Sequence, residues 1–324
     1  MSKFKSRLAP LLDKFVTYRD AIGQWNSSYD YILKRFDRYC LEHHSDTDQI
    51  TQEIVDGWSS KYETDSQNSH YRRLFLICSF LRYLSDRNLP SALLPEVPRY
   101  VKNVPAPHPL TDGALRMFFA VCDSEDFYRN IRPPKIRAIS RITIPVFMRF
   151  QYSTGMRPVA TIHLHRKDVD LKTGVVNVAE DKGHNQHYIV LHDSMLQLMQ
   201  RYDQEIESMQ PDRTYFFESP NGGTYSKCWS STIFHKLWAR ANGLDSGVHL
   251  YDLRHNYATQ NMLRIKGDTD MLDQLTYLSM SMGHSSINST LRYADLTPQL
   301  ADKIREISGE TFNRIVPEVN NEVE

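Results

Sequence analysis

The feature that most constrains the fold of this chain is a cluster of prolines between residues 90 and 109. Six of the fifteen prolines in the 324-residue sequence lie in this short stretch. Proline fixes φ and has no backbone N–H, so repeated prolines are incompatible with a continuous helix or a central strand. We therefore predict an extended linker over residues 90–110, which separates an N-terminal domain, residues 1–89, from a second domain that begins at residue 111.

Helical periodicity runs through the sequence before this linker. Apolar residues recur at intervals of three to four positions, for example Ile32, Leu33 and Phe36, and similar stretches begin near residues 8, 50 and 74. Each such helix has one apolar face that must pack against a neighbour. The N-terminal domain is therefore predicted to be a bundle of about four helices.

The sequence after the linker combines helices with a short β region. Thr111 is a suitable N-cap for a first helix, and Ile136–Tyr152 has the apolar face of a second. Val169–Val178 and His187–Leu191 predict two or three antiparallel strands joined by tight turns. Helical spacing returns in segments that begin near residues 195, 230, 251, 270, 289 and 299. The predicted fold class is mainly α, with a helical bundle followed by a mixed α/β domain that is mostly helical with a small antiparallel sheet.

Composition narrows the classes of protein to consider. Lys and Arg total 39, as do Asp and Glu, so the chain lacks the general basicity of many nucleic-acid-binding domains. No apolar run approaches the roughly 18 residues that span a bilayer, and the N-terminus has no secretory core, so we expect a cytoplasmic protein with no membrane contact. The four cysteines lie far apart, without the spacing of a zinc site or a disulfide framework, and no metal is expected.

Three separated segments carry residues suited to chemistry. They are STGMR at Ser153–Arg157, YDLRH at Tyr251–His255 and MGHSSINSTLRY at Met282–Tyr293. Taken singly, each has an ordinary explanation, such as a capping arginine or a core tyrosine. Their joint order and spacing resemble the tyrosine recombinase, or phage integrase, family. The matching positions are Arg157 in a TGxR turn, Arg254 in an HxxR segment, His284 in a GH(S/T) motif and Tyr293 nine residues after it.

The resemblance also implies a lysine on a β-hairpin, about two dozen residues after the first arginine. Lys182 matches this position, in a DKGH turn before the apolar strand YIVL. Lys167 and Lys172 are the competing candidates, and both fall in the earlier strand and turn. The family's two-domain form further implies that the N-terminal bundle is a SAM-like core-binding domain and that residues 111–294 are the catalytic domain.

These side chains suit the transesterification of a phosphodiester. Two permanently charged, forked guanidiniums, Arg157 and Arg254, match the charge that develops on the non-bridging oxygens. The phenol of Tyr293 can attack phosphorus and store the bond energy in a covalent link, so no cofactor is needed. The resemblance implies a 3′-phosphotyrosine intermediate, a proton supplied by Lys182 to the leaving 5′-oxygen, and a hydrogen bond from His284 to the phosphate.

Two positions depart from the family pattern. Tyr251 stands where the HxxR segment usually begins with histidine, so a catalytic role for Tyr251 would be as a hydrogen-bond donor and the base function is weakened or moved. His249 and His255 are the nearby candidates to replace it. Ala160 stands where family members often carry a glutamate, which leaves the orientation of Arg157 in question.

A recombinase must also hold a duplex, for which clustered cations are the expected signature. We predict DNA contacts from one helix of the bundle, at Lys34, Arg35 and Arg38, and from another at the neighbouring pair Arg72 and Arg73. The zero net charge is an average over unlike segments. Residues 295–324 carry seven acidic and three basic side chains, so the rest of the chain has an excess of four cations.

The resemblance implies a site-specific DNA recombinase that acts through a Holliday junction, as a homotetramer on two duplexes with paired sites. We expect a monomer in free solution and a role in integrating or excising a mobile genetic element in a bacterial cell. Residues 295–324 form a predicted C-terminal helix and acidic tail, which docks on a neighbouring subunit or packs within its own. The alternative functions are an Xer-like dimer-resolving recombinase, a catalytically silent DNA-binding relative and a type IB topoisomerase.

Overall fold

The computed structural model describes residues 2–60, 62, 65–101, 108, 110–179, 186–244, 247–264, 271–284 and 286–291. Contacts divide the chain into two compact units, Met1–Pro105 and Ala106–Glu324. Residues 90–101 form neither helix nor strand, and the boundary between the units lies inside the proline-rich segment. Each unit has its own core.

The first unit is a helical bundle. Its helices are α1 Ala9–Ala21, α2 Ser27–His43, α3 Gln52–Ser59 and α4 Gln67–Ser85. Side chains at Asn26, Thr51 and Ser66 accept hydrogen bonds from backbone N–H groups in the first turns of α2, α3 and α4, as N-caps do. The buried aromatic side chains of Phe36 and Trp58 pack edge to face in the core.

The second unit is mostly helical with a small sheet, which confirms the predicted fold class. Its helices are α5 Asp112–Asp123, α6 Glu125–Tyr128, α7 Pro134–Thr154, α8 Pro158–Ile162, α9 Asp193–Glu207, α10 Trp229–Asn242, α11 Tyr251–Arg264, α12 Met271–Ser281 and α13 Ile287–Leu291. A short 3₁₀ turn, Arg166–Asp168, precedes the sheet. The short helices α6 and α8 were not predicted, because four or five residues are too few to display a helical period.

The sheet consists of β1 Val169–Asp170, β2 Val175–Val178 and β3 His187–Val190, all antiparallel in the order β1–β2–β3. The carboxylate of Asp170 accepts hydrogen bonds from the backbone of the β1–β2 turn, and Gly174 there has a positive φ of 74°. Val178 pairs with His187, so the connection between β2 and β3 leaves the sheet at that end, opposite the β1–β2 turn.

A large core joins the ends of α7 and α11, whereas Met282 of the third motif lies in a smaller cluster with side chains of α11 and α12. The buried aromatic side chains of Phe147 and Phe150 on α7 pack against Phe217, and α7 also contacts α9 and α11. The C-terminal end of α7 and the N-terminal end of α11 are therefore held by the same packing. Among the described residues, no helix combines the length and apolar character needed to cross a bilayer. The predicted helix Gln299–Ile315 lies outside the described residues.

Candidate active site

Arg254 is the centre of the site. It lies in the first turn of α11 and is only 2% exposed. Its Nη1 donates a hydrogen bond to the carbonyl oxygen of Gly155 at 2.6 Å, and its Nη2 donates to that of Met282 at 2.8 Å. One buried guanidinium thus ties together two loops that are more than 120 residues apart in the sequence.

Arg157 reaches the same loop from the other side. Gly155, in the left-handed conformation with φ of 60°, ends α7, and Arg157 then occupies the N-cap position of the short helix α8. The Nη2 of Arg157 donates to the carbonyl oxygen of Gly283 at 2.9 Å. The predicted pair of arginines is therefore brought together around residues 282–284.

Gly155 allows this close approach. A Cβ at this position would lie 2.4 Å from Cδ1 of Tyr257, a half-buried side chain one turn after Arg254 on α11. Two independent reasons require a glycine here. Its φ of 60° is strained for other residues, and the Tyr257 ring fills the space where a Cβ would lie. Tyr257 was not singled out from the sequence, where it reads as an ordinary helical aromatic residue.

His284 contacts Arg254 through one ring nitrogen and Thr290 through the other. Its Nε2 lies 2.9 Å from Nη2 of Arg254, and its Nδ1 lies 2.7 Å from Oγ1 of Thr290 on α13. Thr290 is fully buried. Sequence reasoning missed Thr290, because a threonine on a short helix carries no signal of its own. The only sequence clue was its position six residues after His284.

The site has the electrostatic character of an anion receptor. Among the residues that the structure describes, no carboxylate forms an ion pair with Arg254, although its side chain is buried. Carbonyl oxygens satisfy hydrogen bonds but do not neutralise a buried charge. A bound anion with several oxygens, such as a phosphodiester, would supply the missing charge. No group of three or more His, Cys, Asp or Glu in the described part of the chain is arranged to hold a metal ion.

Tyr251 lies next to these groups but is more exposed, at 41%. The guanidinium carbon of Arg254 is 5.9 Å from its ring centre, and the ring of His255 packs edge-on against it at 5.0 Å. Burial is the main cause that lowers the pKa of His255, and the charge of Arg254 lowers it further. His249 instead has its Nδ1 3.4 Å from Nε2 of His235. Of the two candidate histidines, His255 is the one that contacts Tyr251.

Two predicted residues, Lys182 and Tyr293, lie outside the described residues. The strand that follows Lys182 in the sequence does approach the site, because a Cβ on Gly283 would lie 2.4 Å from Cε1 of His187, the first residue of β3. The competing Lys172 lies in the β1–β2 turn at the opposite end of the sheet. Lys167 lines a separate cavity with Arg213 and Thr214.

The cations predicted to contact DNA differ in their exposure. Lys34, Arg38 and Arg72 are exposed, and Arg35 is half-buried, with its guanidinium carbon 5.7 Å from the ring centre of Tyr31. These four are available at the surface of the first unit. They remain predictions as DNA contacts.

Arg73 was also predicted to contact DNA, and the structure contradicts this prediction. It is 3% exposed, and its Nη2 pairs with the carboxylate of Asp65 at 2.7 Å and with the carbonyl oxygen of Ser60 at 2.8 Å. Its Nη1 donates to the carbonyl oxygen of Trp58. The guanidinium is therefore engaged within the first unit, where the carboxylate of Asp65 already neutralises its charge.

Comparison with known proteins finds relatives of this chain. Residues 127–299 match the phage integrase family. The tyrosine recombinase XerC of Proteus mirabilis is 27% identical over 157 residues, which are 48% of this chain and 48% of XerC, so the chain spans about half the length of this relative. Among solved structures, the XerH site-specific recombinase bound to its difH substrate in a pre-cleavage complex is similar with a TM-score of 0.60 and 18% identity, over 92% of this chain and 84% of XerH. A lambda integrase tetramer bound to a Holliday junction is similar with a TM-score of 0.57 and 14% identity, over 90% of this chain and 78% of that one.

Proposed function

Because the chain belongs to the phage integrase family of tyrosine recombinases, we propose that it is a site-specific DNA recombinase that cuts and rejoins strands through a covalent phosphotyrosine. The observation that carries the proposal is the convergence of Arg157 and Arg254 on the loop at residues 282–284, which carries His284. Two guanidiniums and an imidazole at one point can surround the non-bridging oxygens of a single phosphate.

The proposed reaction exchanges one phosphodiester bond for another. The hydroxyl oxygen of Tyr293 attacks phosphorus, its proton is released to water, and the bond between phosphorus and the 5′-oxygen breaks. The 5′-oxygen leaves as a hydroxyl with a proton from Lys182, and the phosphate stays linked to Tyr293 and to the 3′-oxygen. Arg157 and Arg254 stabilise the charge of the pentacoordinate transition state. The reverse reaction with another 5′-hydroxyl rejoins the strands.

Mapping a covalent adduct tests this proposal. The full chain is incubated with a library of nicked duplexes of randomised sequence, and the DNA retained after denaturation of the protein is recovered. We expect peptide mass spectrometry to place the nucleotide on Tyr293 and the Tyr293→Phe variant to retain no DNA. The recovered duplexes also identify the target sequence for all later assays.

The other candidate functions give different results in this experiment. A catalytically silent DNA-binding relative would retain no DNA in the wild type. A nucleotide on another residue, or an adduct that survives Tyr293→Phe, would refute the assignment of the nucleophile. Relaxation of supercoiled plasmid that lacks the recovered sequence would indicate a type IB topoisomerase instead.

We further propose that Lys34, Arg35, Arg38 and Arg72 hold the DNA backbone. Each contact with a phosphate releases a bound counterion, so replacing one of these residues by alanine is expected to reduce the slope of log affinity against log salt by about 1. Arg35 and Arg72 line the same groove together with Tyr31, which favours contacts with neighbouring phosphates. Fluorescence anisotropy of a labelled duplex at several salt concentrations measures the slope.

Lys14 provides the matched control for these substitutions. It is an exposed cation of the same unit but lies on α1 rather than on α2 or α4. We expect Lys14→Ala to leave the slope unchanged. Equal slopes for Arg72→Ala, Arg38→Ala and the wild type would rule out this surface as the DNA contact.

The assembly proposed for the reaction is a homotetramer on two duplexes, and the lambda integrase structure is that of a tetramer bound to a Holliday junction. Residues 295–324 are proposed to dock on a neighbouring subunit. The biological role proposed is the integration or excision of a mobile genetic element. The second candidate is an Xer-like dimer-resolving recombinase, and the similarity to the tyrosine recombinase XerC supports the Xer-like part. Inverted repeats that flank the coding sequence would favour the first role.

A further inference from the structure

The two ring nitrogens of His284 have partners of different character. A guanidinium can donate hydrogen bonds but cannot accept them. Because Nε2 of His284 lies 2.9 Å from Nη2 of Arg254, this nitrogen must be the acceptor and carries no proton. In a neutral imidazole the proton is then on Nδ1, which lies 2.7 Å from Oγ1 of Thr290. The threonine hydroxyl therefore accepts a hydrogen bond from His284 in this arrangement.

The reaction proposed above needs the opposite arrangement. To donate a hydrogen bond to a phosphate oxygen, His284 must carry a proton on Nε2. A phosphate that binds between Arg157 and Arg254 gives Nη2 of Arg254 a new acceptor, so this group no longer needs the lone pair of His284. The ring can then lose its Nδ1 proton to water and take a proton from water on Nε2, with no change in net charge.

Thr290 is suited to follow this change. A hydroxyl both donates and accepts hydrogen bonds by rotating about its C–O bond. Thr290 is fully buried on α13, and its hydroxyl lies 2.7 Å from Nδ1 of the half-buried His284 ring. An aliphatic side chain at this position would remove the hydrogen bond between Nδ1 and Thr290 in both tautomers, at a cost in free energy.

We propose that Thr290 is a positioning residue that lets His284 change tautomer when phosphate binds. Without phosphate, its hydroxyl accepts from Nδ1–H. With phosphate, the hydroxyl donates to Nδ1 while Nε2–H donates to the phosphate. This inference rests on the proposed function for its purpose, but its first half concerns the protein without DNA and is measured independently.

Nitrogen-15 NMR of the histidine rings in the full chain tests the tautomer directly, with inorganic phosphate as the probe. His284→Gln identifies the signals of His284. We expect the Nδ1–H tautomer in the wild type without phosphate and the Nε2–H tautomer in its presence, and the same switch in Thr290→Ser. Thr290→Val is expected to lose the switch. A wild type already in the Nε2–H form, one that does not respond to phosphate, or a normal switch in Thr290→Val would overturn the proposal.

The rate of adduct formation separates the hydroxyl from the methyl group of Thr290. Valine has nearly the same shape as threonine but no hydroxyl, and serine keeps the hydroxyl but loses the methyl group. We expect Thr290→Val to slow the reaction about tenfold or more and Thr290→Ser to remain within about threefold of the wild type. A purely packing role would reverse this order and would contradict the proposal. If no adduct forms in any variant while the NMR switch is present, the proposed function fails and the tautomer assignment stands.

Discussion

Arg254→Lys is expected to lower the rate of covalent adduct formation by about a thousandfold while the protein remains folded. Lysine keeps the positive charge but has no planar fork, so it cannot hold Gly155, Met282 and a phosphate oxygen at the same time. Removal of a single preorganised donor from a site of developing negative charge typically costs about a hundredfold to a thousandfold in rate. Single-turnover kinetics on the recovered nicked duplex measures the change.

The physical reason for so large an effect is the burial of Arg254. Its charge is removed from water without a carboxylate partner in the described part of the chain, so the fold leaves this charge available to the substrate. A bound phosphate would supply the counter-charge in a region of low effective dielectric, where the interaction is strong. This interaction stabilises the transition state more than the ground state, because the transition state carries more negative charge.

Arg213→Lys is the matched control. Arg213 is also buried in the second unit, but its guanidinium pairs with the carboxylates of Asp203 and Glu207. We expect this variant to melt at a lower temperature, because a buried ion pair is disturbed, and to keep its rate within about tenfold of the wild type. A comparable loss of rate in both variants would mean that Arg254 acts only through the stability of the fold.

Gly155→Ala is expected to destabilise the second unit by about 2 to 5 kcal/mol. The left-handed backbone conformation costs a residue with a Cβ about 1 to 2 kcal/mol, and overpacking a filled site costs about 1 to 3 kcal/mol more. The new Cβ would lie 2.4 Å from the ring of Tyr257, so the ring or the loop must move. Because this loop carries Arg157, we also expect adduct formation to fall by at least about tenfold. Chemical denaturation and single-turnover kinetics measure the two effects.

Gly223→Ala isolates the contribution of the Tyr257 contact. Gly223 has a similar positive φ of 70°, but a Cβ there would meet nothing within 4 Å. We expect this control to lose only the stability that the left-handed backbone conformation costs, about 1 to 2 kcal/mol of the free energy of unfolding. Its activity should be unchanged. A second change, Tyr257→Ala, should restore part of the stability lost in Gly155→Ala. Equal losses of stability in Gly155→Ala and Gly223→Ala would show that the Tyr257 ring can move aside without destabilising the fold.

Local patterns in the sequence predicted most of the architecture. The long helices α2, α4, α7 and α9 have apolar residues at the helical period, and the three strands are separated by turn residues, so their positions follow from interactions between near neighbours. The same reasoning was wrong for Arg73, which shares its dipeptide with the exposed Arg72. Whether an arginine faces water depends on partners such as Asp65 and Trp58, which the fold supplies.

The sequence by itself determined which residue types stand in the three motifs, and hence the resemblance to the tyrosine recombinases and the candidates Arg157, Arg254 and His284. Only the tertiary structure decided that Arg254 is buried and joins the loops at residues 155 and 282, that His255 rather than His249 contacts Tyr251, and that Thr290 holds the second nitrogen of His284. The physical reason is that hydrogen bonds and burial depend on distances between side chains far apart in the chain. Those distances are fixed by the packing of α7, α11 and the loop after α12, which no local pattern contains.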